Sequence, residues 1–392
     1  MGKNYFAGLR VLDHTRYLLG GYATQAFADL GAEVIKIESM DGGDFCRFEE
    51  PMREGVSHYF SALNRNKKSL AINLKSPEGR DAYLRLVKTA DVVIESFRPG
   101  VTARLGIDYE AERAVKPDII HCSLTSFGQK DPRSLKAFHD INFQALSGYL
   151  SINGGGITPV HMVDVSTGMV AIQSMFAALL QRERTGEGAF CDVRMFDSFV
   201  WWNALIDARC DFYGGELTRE TLDFPALAYN VYETRDGGRV SIGMLEEKFW
   251  QSFLKALGRE DLIPYKRCRR QEAPEAFAEL ERIFRSRTTQ EWREFLADKD
   301  ICAMPVLDKK EAIANIVGSG TGLMEYVNFS RTGKTLQTRL PISISTIPVS
   351  LKDARQCPAL GEHSAEVLES VGYTREEIAG LVADGVISCG DP

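Results

Sequence analysis

The stretch Ala28-Asp29-Leu30-Gly31-Ala32-Glu33-Val34-Ile35-Lys36-Ile37-Glu38 joins the end of a helix to a buried strand. Gly31 follows the last apolar residue of the helical pattern, where a glycine lets the chain leave a helix through the left-handed conformation. Upstream, Arg10-Val11-Leu12-Asp13 reads as a short buried strand and Gly20 to Leu30 as the helix. The rhythm repeats downstream. Ser69-Leu70-Ala71-Ile72-Asn73-Leu74 is a third strand, and Ser76-Pro77-Glu78-Gly79 opens a helix with proline in its first turn. Asp91-Val92-Val93-Ile94-Glu95 and Asp118-Ile119-Ile120-His121-Cys122-Ser123-Leu124 follow as buried strands. Strands alternating with helices predict an α/β protein whose large domain is a doubly wound, Rossmann-like parallel sheet. No Gly-x-Gly-x-x-Gly and no Walker lysine motif follows these strands, so neither a dinucleotide nor a P-loop site is expected.

With 392 residues the chain exceeds one ordinary core, and two domains are expected. The composition turns more polar after Phe212-Tyr213-Gly214-Gly215. Val231-Tyr232-Glu233-Thr234 and Arg239-Val240-Ser241-Ile242-Gly243 flank the hairpin turn Arg235-Asp236-Gly237-Gly238. Glu246 to Leu257 and Ala273 to Phe284 read as helices. The expected division is a large domain over 1–224, a smaller α+β domain over 225–330, and a return to the large domain over 331–392. Val165 to Arg184 reads as a long helix, small and apolar on most faces and therefore expected to be buried.

The hydrophobic fraction of 44% and charged fraction of 26% are those of a soluble globular protein. A net charge of −7 argues against a general nucleic-acid surface. The apolar runs read as short of a membrane span, and Met1-Gly2-Lys3-Asn4-Tyr5-Phe6-Ala7-Gly8 has no signal-peptide apolar core, so no membrane partner and a cytoplasmic location are expected. None of the 8 cysteines forms a Cys-x-x-Cys pair, and the 6 histidines show no ligand spacing, so no metal site is expected. Cys122 and Cys191 lie in strand-like runs and read as packing residues.

Two segments carry the chemistry. Asp164-Val165-Ser166-Thr167-Gly168-Met169 opens the long helix, and Lys136-Ala137-Phe138-His139-Asp140-Ile141-Asn142-Phe143 precedes it. A helix N-terminus stabilises negative charge, so Asp164 is expected to stay ionised, able to act as nucleophile or base. By residue type alone, Asp164 is better explained as a helix cap, and His139 as a structural histidine. Glu246 beside Glu247 reads equally as a solvated charge at a helix start. Lys75, Arg98, Arg104 and Lys136 fall in expected loops after strands, where α/β folds bind ligands.

The chain resembles the family III CoA-transferases (the CaiB/BaiF family), which includes the α-methylacyl-CoA racemases. The resemblance starts at Gly8-Leu9-Arg10-Val11-Leu12-Asp13 and includes Asn64-Arg65-Asn66-Lys67-Lys68-Ser69 and Glu95-Ser96-Phe97-Arg98-Pro99-Gly100. It continues through Arg184-Thr185-Gly186-Glu187-Gly188 to Gly361-Glu362-His363-Ser364. It implies an interlocked homodimer, acyl-CoA and a carboxylic acid as substrates, and no tightly bound cofactor. In the transferases the aspartate matching Asp164 attacks the acyl-CoA carbonyl, forms a mixed anhydride and later carries CoA as a thioester. In the racemases a His-Asp-Ile-Asn-aromatic run like that at His139 supplies a base, and Glu246 matches an active-site glutamate. By the same resemblance, Arg16, Leu74, Lys75, Phe97, Arg98, Arg104, Leu105 and Lys136 line the CoA path. Ser39 stands where some relatives carry a phosphate-binding arginine.

Three departures weigh on the choice of reaction. Ser166-Thr167-Gly168 replaces the glycines that usually follow a racemase's aspartate. Leu222-Asp223-Phe224-Pro225-Ala226 replaces a racemase motif, and the transferases' glycine-rich lid is missing from its usual place. CoA transfer on Asp164 is the leading expectation, racemisation by His139 with Asp164 and Glu246 the alternative. A CoA-binding protein without turnover is a third, opposed by the retained aspartate.

Overall fold

The structure, a computed structural model, describes residues 6–215, 217–218, 225–347 and 349–390. The chain forms two compact units, divided after Asp211 and after Gly318. In the first unit, β1 (Arg10–His14) leads through α1 (Tyr17–Leu30) to β2 (Glu33–Glu38). Gly31 sits at φ 97°, closing α1 as the sequence predicts. Next come β3 (Lys68–Ile72), α2 (Pro77–Val87), β4 (Val92–Glu95) and β5 (Ile120–Thr125). The chain then forms α3 (Asp140–Leu146), the long α4 (Met162–Thr185) and β6 (Ala189–Arg194).

Across the sheet the order is β3-β2-β1-β4-β5-β6, all parallel, with a seventh strand, Ile387–Ser388, antiparallel on β3. Alternation along the strands feeds two cores. Leu12, Ile35 and Leu70 pack with Tyr83 and Leu86 of α2 on one face. Val11, Val34 and Val92 pack with Phe27 of α1 and Met175 of α4 on the other. Strand order reverses direction between β1 and β4, and that reversal opens a crevice past their carboxyl ends.

Buried charges fix the loops at that crevice. Asp13, buried in β1, accepts hydrogen bonds from Thr15 N (2.9 Å), Thr24 Oγ1 (2.7 Å) and Lys67 Nζ (3.1 Å). Burial alone would raise its carboxyl, but Lys36, Lys67 and the two threonine hydroxyls hold it well below the usual carboxylate range. Lys36 Nζ in turn reaches Asp44 at 2.8 Å and the Thr15 carbonyl at 2.8 Å. This network pins the turn into α1, where Tyr17 adopts φ 59°, a conformation rare for an aromatic residue, with its N–H donated to Asp44 Oδ1 at 3.0 Å. At β4, Glu95 Oε2 accepts the Phe97 N–H at 2.5 Å and so holds the loop that follows.

The second unit has a three-stranded antiparallel sheet, with the expected hairpin between Tyr229–Glu233 and Arg239–Gly243 and the third strand at Ala303–Pro305. Trp250, Phe253, Phe284 and Trp292 form its core. It ends at Gly318 rather than at 330, because Met324–Phe329 pairs with Gly333–Thr338 in the returning segment. It begins after Asp211 rather than at 225. Leu222-Asp223-Phe224 and the first five residues lie outside the described residues.

Two expectations about α4 need correction. It is not buried on most faces: Met169 is 48% and Leu180 51% exposed. With 24 residues, and an 18-residue stretch of mean hydropathy 1.5, it is also long and apolar enough to cross a membrane by length and composition alone. Its other face explains those small residues by packing, with Ser166, Thr167, Gly168 and Ala171 buried where α4 meets α1, β5 and β6.

The approach of α1 to α4 depends on Gly168. A Cβ there would sit 2.7 Å from the Leu19 carbonyl oxygen and 3.0 Å from Tyr22 Cβ. Gly168→Ala should destabilise the protein by ~1–3 kcal/mol, as overpacking does. Gly380→Ala, in helix Arg375–Ala383 with open space around it, should be neutral or stabilising. Unfolding followed by circular dichroism checks both; equal midpoints for the two variants would remove this packing constraint.

Candidate active site

The start of α4 is capped from another helix. His161 occupies its N-cap position, but the His161 side chain accepts none of the helix N–H groups. Asp140, the first residue of α3, accepts the Val163 N–H at 2.6 Å and the Asp164 N–H at 3.2 Å on one oxygen. Its other oxygen accepts from the Gln144 amide one helical turn on. The capping role considered for Asp164 therefore belongs to Asp140. Asp164 is the third residue of α4, and no donor among the described residues reaches its carboxylate.

The expectation that Asp164 is ionised with little help is corrected too. Burial, and then the nearby Asp140 carboxylate, push its carboxyl up from 3.8 to about 7. No hydrogen bond offsets these two effects, because the N–H groups of Val163 and Asp164 are donated to Asp140. The result is an acid poised to change charge near neutral pH, the range in which a general base or nucleophile works best.

Asp164 lines a cleft of about 1070 Å³ over the carboxyl ends of β1 and β4. Of the residues expected on the CoA path, Arg16, Lys75, Phe97, Arg98, Arg104 and Leu105 line it. Arg16 follows β1, donates its N–H to Ser96 Oγ at 2.9 Å, and lays its guanidinium over Phe45 (5.1 Å) and Phe97 (5.8 Å). Arg98 rides the loop after β4, but Arg104 lies in the short helix Val101–Leu105 rather than in a loop. Leu74 and Ser39 line an adjoining pocket of about 350 Å³ that shares Arg16, Lys75, Phe97 and Leu105 with the cleft. Lys136 is exposed and lines neither.

His139 lines the cleft as expected, exposed at the N-cap of α3, with its backbone N–H donated to Asn142 Oδ1 at 2.9 Å. Glu246 belongs to the other unit, where it is the exposed cap residue of helix Glu247–Leu257. A second histidine, which the sequence reading did not single out, is His161. Its Nε2 lies 3.3 Å from the Tyr59 hydroxyl, and polar atoms of Asp140, His161 and Asp164 all lie within 4.8 Å of one another. The signal was spacing: three residues before Asp164, His161 falls on the same side of the first helical turn. Imidazole and carboxylate also bind metals, but Asp140 already receives three N–H donors.

Residues 6–364 match the family described as CoA-transferase family III. The chain is 32% identical over 395 residues to succinyl-CoA:glutarate CoA-transferase of Mus musculus, covering 97% of this chain and 89% of the relative. It is 28% identical over 389 residues to α-methylacyl-CoA racemase of Homo sapiens, covering 97% of each. The crystal structure of a CaiB/BaiF family protein from Brucella suis superposes with a TM-score of 0.80 at 28% identity, over 93% of this chain and 98% of that one. The chain belongs to CoA-transferase family III, whose members include racemase homologues.

The raised Asp164 carboxyl has a measurable consequence for stability. Folded protein holds this proton up to about pH 7, whereas the unfolded chain releases it near 3.8. The proton therefore stabilises the fold below pH 3.8, and that contribution is lost as pH rises toward 7. Asp164→Asn should be more stable than wild type at pH 8, by on the order of 2 kcal/mol, with the gap closing by pH 4. Urea unfolding at the two pH values measures it; a pH-independent gap would contradict the burial.

Proposed function

We propose that this member of CoA-transferase family III is a cytoplasmic homodimer that moves CoA from an acyl-CoA thioester to a free carboxylic acid, with Asp164 as nucleophile. The observation that carries this reading is one cleft holding both a partly buried, near-neutral carboxyl at Asp164 and the cations Arg16, Lys75, Arg98 and Arg104. Cations suit the diphosphate and 3′-phosphate of CoA, and phenylalanine with the stem of an arginine suits its adenine.

The chemistry needs no net proton. An ionised Asp164 oxygen bonds to the thioester carbon, and the carbonyl electron pair moves onto oxygen. Collapse breaks the C–S bond and expels the CoA thiolate, leaving an acyl-aspartyl anhydride. The thiolate attacks the aspartyl carbonyl of that anhydride, releasing the first acid and forming an aspartyl-CoA thioester. The acceptor carboxylate then runs the two steps in reverse. The activity named for the mouse relative makes succinyl-CoA and glutarate the first donor and acceptor to assay. Exposed apolar side chains at Met169, Leu180, Trp201, Trp202 and Leu205 support a second copy as partner.

Racemisation of a 2-methylacyl-CoA is the second reading. His139 lines the same cleft as Asp164, and one relative is named as such a racemase. Mass spectrometry after mixing with succinyl-CoA separates the two. Transfer predicts a hydroxylamine-sensitive adduct on Asp164, absent in Asp164→Asn, which should lose at least ~10³-fold in turnover. Deuterium uptake at the α-carbon of 2-methylacyl-CoA without any adduct would replace transfer by racemisation, with His139→Ala losing one enantiomer first.

The cations give an independent check. Arg98→Ala should weaken CoA binding by ~1.5–3 kcal/mol, the range for hydrogen bonds to charged groups, and less so at high salt. Unchanged affinity in alanine variants of Arg16, Lys75, Arg98 and Arg104 alike would remove CoA from this cleft.

A further inference from the structure

We propose that His161 is a catalytic group of this cleft, donating a hydrogen bond to the carbonyl oxygen that becomes negative as Asp164 attacks, with Tyr59 as its positioning residue. The inference rests on the transfer reading above and adds a role to it.

Attack on a thioester turns its carbonyl oxygen into an oxyanion, which needs a donor already in place. A helix N-terminus would ordinarily supply backbone N–H groups. Here the N–H groups of Val163 and Asp164 are both donated to Asp140, and the Val165 N–H goes to the His161 carbonyl at 3.0 Å. Asp140 itself only accepts. The His161 ring is a side-chain donor grouped with the two carboxylates, and the Gln144 amide beside it is already given to Asp140.

Its geometry fits the role. A ring nitrogen lies within 4.8 Å of the Asp164 carboxylate, yet no hydrogen bond joins the two. That gap leaves room for a carbonyl whose carbon meets the Asp164 oxygen while its own oxygen lies about 3 Å from the ring N–H. The ring is oriented by Tyr59, whose hydroxyl is 3.3 Å from His161 Nε2 and whose ring meets it edge-on at 6.4 Å. Both residues line the cleft, and His161 is exposed to it. In the step, the Asp164 oxygen–carbon bond forms and the carbonyl pair moves to oxygen, where the His161 N–H meets it. As the oxyanion collapses, the C–S bond breaks and its pair leaves with the CoA thiolate. His161 keeps its proton throughout.

The test is the rate of adduct formation on Asp164 from succinyl-CoA, by rapid quench and mass spectrometry, alongside the affinity for free CoA by calorimetry. His161→Ala should slow adduct formation ~10²–10³-fold with CoA affinity unchanged. His161→Gln, which keeps an N–H donor, should recover part of the rate, and Tyr59→Phe should lose roughly tenfold, one hydrogen bond's worth. A purely structural role would lower CoA affinity and rate together and give no recovery in His161→Gln, which would overturn the assignment. Adduct formation at the wild-type rate in His161→Ala would overturn it while leaving Asp164 as nucleophile. A wild type that forms no adduct would overturn the transfer reading, and this assignment with it.

Discussion

The site depends on a single capping contact: the Asp140 carboxylate accepting two backbone N–H groups at the start of α4. An uncapped helix start leaves orphan donors, and Asp140 satisfies two of them from a different helix. The contact fixes α3 against α4 and brings a second carboxylate, Asp164, close to the first. Asp140, the more buried of the two, takes the donors, and half-buried Asp164 is left without one. The asymmetry is what leaves Asp164 with a carboxyl pushed up to about 7 beside a polar neighbour, His161, that is free to face a substrate.

The rest of the first unit holds this arrangement over the crevice that sheet topology provides. Strand order reverses at β1 and β4, so the segments after them, Thr15 to Tyr17 and Ser96 to Pro99, face each other across the opening. Neither loop is left to itself. The buried charges of Asp13, Lys36, Lys67 and Asp44 pin the first, and Glu95 pins the second. Breaking a buried ion pair strands a charge, so these loops are held by interactions that are costly to lose. The strained backbone of Tyr17 persists inside this network, at the cleft wall.

The sheet is legible because strands buried on both faces read as continuous apolar runs, as at Val92-Val93-Ile94 and Leu70-Ala71-Ile72. The hairpin at Arg235 to Gly238 was legible from its turn residues. Two of the cations after strands are legible for a related reason: only so many loops lie at the carboxyl edge, and Lys75 and Arg98 fall in them, while Arg16 enters only through the family resemblance. What sequence could not show was partnership at a distance. Nothing in the order of residues says that Asp140 caps a helix starting 22 residues later, so by residue type Asp164 reads as a cap and as an easily ionised group. Lys136 follows a strand like the others, and Ser134 and Phe138 on either side of it line the cleft, yet Lys136 itself is exposed and does not. Met324–Phe329 read as part of the smaller domain because its pairing partner lies downstream.

The most direct measurement is a carbon-13 NMR titration of aspartate-labelled protein, with Asp164→Asn to assign the signal. The Asp140–Asp164 pair should show one carboxyl titrating near 7, lost in Asp164→Asn and moved toward the ordinary 3.8 in Asp140→Asn, where the neighbouring charge is gone. An Asp164 carboxyl that titrates near 3.8 in the wild-type protein, or one indifferent to Asp140→Asn, would contradict the division of labour between the two carboxylates.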